Sequence, residues 1–378
     1  MTPPNEMKTK IDSSHNQYGS ITDIEGVLVG QAELGSQLPT TGVTAILTPN
    51  GATAAFDCRG GAPATHETDL LRCGNLVERV QGFTLSGGSS FGLVTACGVQ
   101  QYLAERNLGW RVGKSPEEVV PIVPAAAIFD LGRNGSFTKR PTFELGYQSA
   151  AAAASGYVRE GSVGAGSGAE IGGMLGLRLS GGIGTGCVKT DDGILVGAIV
   201  VLNSAGLPID AETGELIAKR HLNSIFCRSD SVPDMPSPTE KEISAWKLYA
   251  ADKTPGAKSG EIPTNANTVI GVIATNAALS RSELYKLAKI AHDGLARSVV
   301  PIHTLFDGDT LFSLSTGQLT LGGDPSVLTQ EKALVLSRIY ECGATAVARA
   351  VARATVTAEP KGDLPSYRDF FPSIYNVS

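Results

Sequence analysis

The feature that most constrains this fold is an uninterrupted apolar run at residues 194–202, Ile-Leu-Val-Gly-Ala-Ile-Val-Val-Leu. A strand with one face in water alternates polar and apolar residues, whereas an unbroken run suits a strand covered on both faces. Residues 269–274 predict a second buried strand. Apolar residues at helical spacing predict helices at 90–105 and 281–299, and a long helix is expected at 329–354. Together these patterns predict layered α and β structure.

Further elements are shorter. Ser280-Arg281-Ser282-Glu283 fits a capping box, in which the first and last residues satisfy each other's backbone N–H groups at a helix start. The other predicted elements are strands at 24–30, 42–47, 52–58, 310–315 and 318–321 and an Ala-rich helix at 146–154. The length of 378 residues by itself would suggest two or three domains.

Two segments depart from this pattern. Residues 1–20 are polar and predict a flexible tail. Residues 228–266 contain several prolines among charged residues, which predicts an exposed linker with a short helix around 239–250. Residues 161–186 are the most glycine-rich part of a chain with 45 glycines, so close backbone contacts are expected there.

Composition excludes several classes of function. The formal net charge of −6 argues against a protein that binds nucleic acid through phosphate contacts. No apolar signal region is visible in residues 1–20, and no apolar stretch reaches the ~18 residues of a membrane span. The six cysteines form no C-x-x-C motif and no histidine pair has metal-ligand spacing. We expect a soluble cytoplasmic protein with buried free thiols, no metal and no cofactor.

Two short motifs suggest chemistry but have simple structural explanations. Gly88-Ser89-Ser90-Phe91-Gly92 matches the nucleophile elbow G-x-S-x-G, for which His292 or His303 would be the base. Residues 164–169 fit the loose G-x-G-x-x-A form of a dinucleotide fingerprint, but no acidic residue completes a βαβ unit. In a chain this rich in glycine and serine, both motifs are expected to be packing turns.

The junction at Asn267-Thr268 is more unusual, because the proline-rich linker stops there and a buried strand begins one residue later. A threonine in this position can become an N-terminal nucleophile: its hydroxyl attacks the Asn267 carbonyl, and hydrolysis of the resulting ester frees the Thr268 amine. An α-amine has a pKa of ~7.7–8.0, so it can then accept the hydroxyl proton near neutral pH.

Several sequence blocks, in order, resemble one known family. They are residues 21–30 (Ile-Thr-Asp-Ile-Glu-Gly-Val, then Val-Gly), 57–69, 85–93, 123–131, 164–166, 181–185 and 201–204. The clearest block runs from Asn267-Thr268-Val269-Ile270 to Asp307-Gly308-Asp309-Thr310. The chain resembles the DmpA/β-aminopeptidase family of self-processing N-terminal-nucleophile hydrolases, and this last block resembles its endo-type nylon-oligomer hydrolases.

The resemblance implies a fold and an activity. The expected fold is a single four-layer αββα sandwich at residues 21–378, autocleaved into an α chain (1–267) and a β chain (268–378) that stay together. The expected activity is hydrolysis of amide bonds in small peptides or peptide-like compounds. Family members form tetramers, so a homo-oligomer is expected; the apolar C-terminal helix would be either its interface or part of the core.

The resemblance also assigns site residues. Thr268 is expected to be the nucleophile, and Asn203 matches the asparagine whose side-chain amide donates to the oxyanion. Asp307 and Asp309 match acidic positions facing the nucleophile, where they would hold the new ammonium or a substrate amine. The Ser90 motif falls within a family block, which indicates a scaffold role for it.

Three positions depart from the family pattern. The aminopeptidases have a glutamate that grips the substrate amine and a tyrosine near the nucleophile, where this chain has Ala127 and Phe129. The nylon hydrolases keep the tyrosine and add a lysine, which aligns with Gly173; Arg178 or Lys189 are candidates to replace it. Two alternatives therefore stay open: a non-catalytic protein on the same scaffold, and a serine hydrolase using Ser90.

Overall fold

The computed structural model describes residues 19–35, 40–133, 136–223, 235–253, 267–322 and 327–375. Within these ranges the strands are β1 (Leu28–Leu34), β2 (Thr41–Cys58), β3 (Thr65–His66), β4 (Arg79–Ser86), β5 (Trp110–Arg111), β6 (Val119–Val120), β7 (Ala125–Ala127), β8 (Glu170–Ile171), β9 (Leu179–Ser180), β10 (Gly182–Lys189), β11 (Leu195–Leu202), β12 (Ile270–Ala277) and β13 (Thr310–Leu319). The helices are α1 (Thr95–Ala104), α2 (Phe143–Ala151), α3 (Glu240–Lys253), α4 (Arg281–Ala296), α5 (Gln330–Val356) and α6 (Tyr367–Phe370).

Nine strands share one hydrogen-bonded network in the order β10-β11-β12-β13-β2-β4-β7-β3, with β1 also paired to β2. The long strand β2 belongs to both halves of this network. Its first half pairs with β4 and its second half with β13. A register shift between Leu47 and Ala52 separates the two pairings with β4, and such a bulge bends a strand.

The core shows that the two halves of the network are stacked. Because side chains alternate along a strand, β11 sends Val196 and Val200 toward α4 and α5. Its other face sends Ile199 and Val201 into a second cluster that includes Phe83 from the other half of the network. A third cluster joins β2 to α1 and α2. The layers are therefore helix, sheet, sheet and helix, which confirms the expected fold class.

The element predictions hold with some changes of boundary. The strands expected at 42–47 and 52–58 are one strand, β2, and those at 310–315 and 318–321 are one strand, β13. The Ser280–Glu283 capping box is present at the start of α4. The predicted helix at 90–105 begins as a 3-10 turn, Ser89–Val94, before α1.

The C-terminal half of α5 is buried from Cys342 to Val356. It lies against β10, where Gly182, Gly184 and Gly186 bring the strand close to the helix backbone. A Cβ on Gly184 would come within 2.2 Å of the Ala350 carbonyl oxygen. The apolar helix is thus core, and the glycine-rich sequence is needed for this helix–sheet contact. The 164–169 motif is also a packing turn, since a Cβ on Gly166 would lie 2.4 Å from the Ile183 nitrogen.

Two sequence expectations need correction. Within 228–266, the short helix expected around 239–250 is present as α3, but its Trp246 is fully buried in the main core, so this helix is docked and is not part of an exposed linker. Cys58, Cys73, Cys97 and Cys187 are free, but Cys73 and Cys97 are exposed and Cys342 is disulfide-bonded.

Residues 1–18 of the expected tail lie outside the described residues. Over the described ranges, no helix combines the length and apolarity needed to cross a bilayer.

We expect Gly184→Ala to destabilise the fold by about 3 kcal/mol, because the new methyl group meets helix backbone that cannot move aside. Gly322→Ala is the matched control, since a Cβ there meets nothing within 4 Å. Urea unfolding of both variants measures the difference. Equal stability of the two variants would contradict the proposed role of the β10 glycines.

Candidate active site

Four neighbouring strands place their ends at one edge of the sheet. β11 ends next to Asn203, β12 begins after Thr268, β13 begins after Asp309, and β2 ends before Arg59. The pairings Val201–Ile270, Ile270–Thr310 and Thr310–Cys58 bring these ends side by side. Residues far apart in sequence thus meet at this edge.

Thr268 is held in place by its backbone. Its N–H donates to the Asn203 carbonyl at 2.6 Å. The next N–H, that of Val269, donates to Asp309 Oδ1 at 2.7 Å, and the Val269 carbonyl accepts from the Thr310 N–H at 3.0 Å. Thr268 itself is 4% exposed. These bonds fix the nucleophile candidate from the strands on both sides of β12.

The Thr268 hydroxyl lies against the peptide bond that precedes it. Oγ1 donates to the Asn267 carbonyl oxygen at 2.5 Å. The Gly308 N–H donates to the same oxygen at 3.1 Å. A carbonyl that accepts from a fixed backbone N–H can build up negative charge at low cost, which is the requirement for attack on its carbon.

Glycine is required at position 308 for this contact. A Cβ there would lie 2.9 Å from Thr268 Oγ1 and 2.8 Å from the Ala62 carbonyl oxygen. The loop after β2 also lies close to the site, because a Cβ on Gly60 would come within 2.3 Å of the backbone carbonyl oxygen of Asp307. The 57–63 sequence block therefore forms one wall of the site.

Asp309 is fully buried and its carboxylate is fully used. Oδ1 accepts from Val269, and Oδ2 accepts from both the backbone N–H of His303, at 3.1 Å, and its ring Nδ1, at 2.7 Å. His303 has a φ of +61°, which is unusual for a residue with a side chain. The structure thus brings Asp309 to the site as an anchor for the start of β12.

Asp307 is different, because only one of its carboxylate oxygens is used. Oδ2 accepts from the Thr304 N–H at 2.7 Å, while Oδ1 is buried without a hydrogen-bond partner. Burial, and secondly the charge of Asp309, raises the pKa of the Asp307 carboxyl. A buried carboxylate with one free oxygen can accept a cation at low desolvation cost.

Asn203 lies on the other side of Thr268 and is fully buried. Its Oδ1 accepts from the Glu170 N–H at 3.0 Å and from the Arg133 guanidinium. Its Nδ2 faces the Phe129 carbonyl oxygen at 3.4 Å, a long contact. The amide group is therefore oriented by its oxygen.

The departures from the family pattern lie near this group. Gly173 is in a turn whose neighbours Gly172 and Met174 donate to the carbonyls of residues 204–206. Arg178 reaches Glu170 at 2.7 Å, which places it on the Asn203 side. Lys189 is the last residue of β10, at the end of the strand away from the site. It lies seven residues, or about 23 Å, from Gly182, so Lys189 is wrong as a replacement for the family lysine.

Within the described ranges, no hydrogen bond joins Ser90 to a histidine or a carboxylate. Ser90 is exposed in the 3-10 turn after β4. His292 Nε2 contacts the Asp57 carbonyl and His303 Nδ1 contacts Asp309, and the other nitrogen of each ring is buried without a partner. Burial lowers the pKa of His292 to about 3. The geometry therefore gives the elbow motif no base.

Sequence reasoning missed the site roles of four residues. Arg133 and Glu170 are separated by 37 positions and carry no motif, so only the fold places them beside Asn203. The sequence places Gly308 between the two aspartates but does not show where its N–H points. His303 was considered only as a base for Ser90. Among the described residues, no group of three His, Cys, Asp or Glu side chains is arranged to hold a metal ion.

Solved structures agree with the fold. A β-aminopeptidase of Burkholderia sp. superposes with a TM-score of 0.60 and 21% identity, covering 94% of this chain and 90% of that one. The L-aminopeptidase D-Ala-esterase/amidase of Ochrobactrum anthropi, described as a variant of the Ntn hydrolase fold, gives 0.64 and 20%, covering 93% and 89%.

Sequence relatives define the family. An uncharacterized aminopeptidase of Mycobacterium bovis is 40% identical over 368 residues, covering 94% of this chain and 99% of that protein. A 6-aminohexanoate-oligomer endohydrolase of Kocuria sp. is 30% identical over 304 residues, covering 80% and 76%. The model of peptidase family S58 matches residues 19–363. The resemblance noted in the sequence is confirmed, and the chain belongs to peptidase family S58.

Proposed function

We propose that this member of a peptidase and amidase family is a self-processing hydrolase with Thr268 as its nucleophile. The observation that carries the proposal is the contact of Thr268 Oγ1 with the Asn267 carbonyl, which also accepts the Gly308 N–H. The substrates are amides of small peptides or peptide-like compounds, the class to which the named relatives point.

Maturation begins with attack of Thr268 Oγ1 on the Asn267 carbonyl carbon. A C–O bond forms as the hydroxyl gives up its proton, which passes to the departing nitrogen in the next step, and the Gly308 N–H stabilises the negative charge on the carbonyl oxygen. The C–N bond then breaks, and the nitrogen takes up a proton to become the Thr268 amine. Water hydrolyses the ester, which releases the Asn267 carboxylate and restores the hydroxyl.

The fold keeps the two products together after this cut. β12 begins at the cut but lies between β11 of the α chain and β13 of the β chain. β13 pairs in turn with β2 of the α chain, and α5 of the β chain packs on β10. Separation would break several rows of strand hydrogen bonds and expose the core, so the fragments remain one body.

Catalysis uses the freed amine as the base. The amine takes the hydroxyl proton of Thr268, Oγ1 attacks the substrate carbonyl, and the amine portion of the substrate leaves with that proton. Asn203 Nδ2 donates to the oxyanion, a contribution of ~3–4 kcal/mol where such donors have been removed. We infer that Asp307 Oδ1 holds the ammonium form of the amine, since it is buried without a partner. Asp309 positions the strand.

The substrate side is set by the departures from the family pattern. Ala127 and Phe129 supply no carboxylate to grip a free substrate amine, which weakens an exo-acting aminopeptidase as the model for this chain. A cytoplasmic location and a homotetramer remain predictions from sequence. A non-catalytic protein on this scaffold is the second candidate, favoured by the replaced glutamate, tyrosine and lysine.

Thr268→Ala is expected to leave one uncut chain of 39.2 kDa without amidase activity, because it removes the attacking oxygen. The unmodified chain should give a β fragment of 111 of the 378 residues, about 11.5 kDa, that begins at Thr268. Intact-mass spectrometry of denatured protein makes the measurement. Thr268→Ser keeps a hydroxyl and should still be cut. Cleavage of the Ala variant at the same bond would sink the proposal, and an uncut, inactive wild-type chain would favour the non-catalytic candidate.

Asp307→Asn should move the rising limb of the kcat/KM pH profile to lower pH. A neighbouring carboxylate favours the protonated amine, so removing that charge lowers the pKa of the Thr268 amine. The free base then appears at lower pH. Asp191→Asn, exposed in the turn between β10 and β11 at the other end of these strands, is the control and should leave the profile in place. A limb that stays fixed, or moves upward, in Asp307→Asn contradicts the assignment.

A further inference from the structure

Asn203 can serve as an oxyanion donor only if its amide is held the right way round. A carboxamide carries its oxygen and its NH₂ group on opposite sides, and a rotation by 180° exchanges them. Fixing Oδ1 therefore fixes the direction of Nδ2. In the structure Oδ1 accepts from the Arg133 guanidinium and from the Glu170 backbone N–H.

The short segment 129–133 contacts both ends of this amide. Its first residue, Phe129, offers a carbonyl oxygen 3.4 Å from Nδ2, and its last residue, Arg133, donates to Oδ1. Between them Gly132 adopts a φ of +74°, a conformation that favours glycine and turns the chain back. The contact at Nδ2 is long and uses one of its two hydrogens, so the other can reach a reacting carbonyl.

Arg133 is itself held in place. It is 9% exposed, its Nε lies 3.7 Å from Glu170 Oε2, and its guanidinium carbon lies 5.9 Å from the centre of the Phe129 ring. Burial lowers the pKa of Arg133, and the neighbouring Glu170 and Asp130 charges oppose that shift. Such a guanidinium is a fixed donor, and a charged donor binds an amide oxygen more strongly than a backbone N–H does.

Further charged groups surround the Arg133–Glu170 pair. Glu170 Oε2 is shared between Arg133 and Arg178. Lys361 is buried nearby, with Glu170 and Asp130 the main acidic groups acting on it. Glu359 acts on Lys361 as well, so basic and acidic groups alternate around the Arg133–Glu170 pair. The Arg133 guanidinium, which donates directly to Asn203 Oδ1, polarises the amide so that its Nδ2 becomes a stronger donor to the developing oxyanion.

We propose that Arg133 is a positioning residue that fixes and polarises the Asn203 carboxamide for substrate turnover. This inference rests on the proposed function. Arg133 touches no reacting atom, and its effect passes through Asn203. Self-cleavage depends on it less, because the Asn267 carbonyl already accepts the Gly308 N–H.

A double-mutant cycle tests this coupling in the matured enzyme. Arg133→Met, Asn203→Ala and the double variant are compared with wild type, using whichever of alanine 4-nitroanilide and 6-aminohexanoate trimer the wild type hydrolyses faster. We expect Arg133→Met to lower kcat 10- to 100-fold with KM changed less than about threefold, below the ~10²–10³-fold typical of a lost oxyanion donor. The double variant should be no slower than Asn203→Ala alone.

Arg353→Met is the matched control. Arg353 is also a buried arginine paired with a glutamate, but it lies on α5, and Glu160, which it contacts at 2.8 Å, is not one of the residues placed at the site. It should lower thermal stability without changing kcat of the folded enzyme. If Arg133→Met does not fold, Arg133→Lys, which keeps the charge and one donor, takes its place in the cycle and must show the same lack of additivity.

The outcomes separate two failures. If Thr268→Ala still turns over the probe, the proposed function is wrong, and this inference with it. Three results with an impaired Asn203→Ala would refute the coupling to Arg133 and leave the function standing. Arg133→Met could have a normal kcat, it could change only KM, or its fold loss in kcat could multiply with that of Asn203→Ala in the double variant. Intact-mass spectrometry is run in parallel, and loss of maturation in Arg133→Met would also overturn the proposed division between cleavage and turnover.

Discussion

The site depends on how the start of β12 is fixed between its two neighbours. Two successive N–H groups, those of Thr268 and Val269, donate in opposite directions, to the Asn203 carbonyl and to Asp309. Successive residues of a strand point their backbone groups to opposite sides. The Asn203 carbonyl and the Asp309 carboxylate therefore take the places that backbone acceptors of the neighbouring strands would occupy. If either partner moved, Thr268 Oγ1 would no longer be held against the Asn267 carbonyl.

This anchoring requires a rigid sheet around Thr268, and glycines allow the close backbone contacts that hold the sheet in place. Gly184 lets α5 approach β10, Gly60 lets the loop after β2 approach Asp307, and Gly308 leaves room for the Thr268 hydroxyl. At each position a methyl group would overlap backbone or the reactive oxygen. These three glycines are thus required by close contacts at the strand ends and at the helix–sheet interface, whereas others, such as Gly74 and Gly193, have open space around them and a positive φ.

Sequence patterns were reliable where the cause was local or repeated. The unbroken run at 194–202, the capping box at Ser280 and the buried strand after Thr268 all appear as expected. Predictions were wrong where distant packing decided. Trp246 fills a core position and docks α3, and Lys189 lies at the edge of the sheet away from the site. Spacing along the sequence does not show which residues lie close to the site or to the core in the folded chain.

The sequence by itself determined the family, the layered architecture and the residues proposed for the chemistry, because ordered blocks and hydrophobic periods are properties of the chain. Only the tertiary structure distinguished the two aspartates, one used as an anchor and the other with a buried free oxygen. It alone placed Arg133 behind Asn203. These distinctions depend on hydrogen-bond partners and burial, which arise when four strand ends from separate parts of the chain meet at one edge.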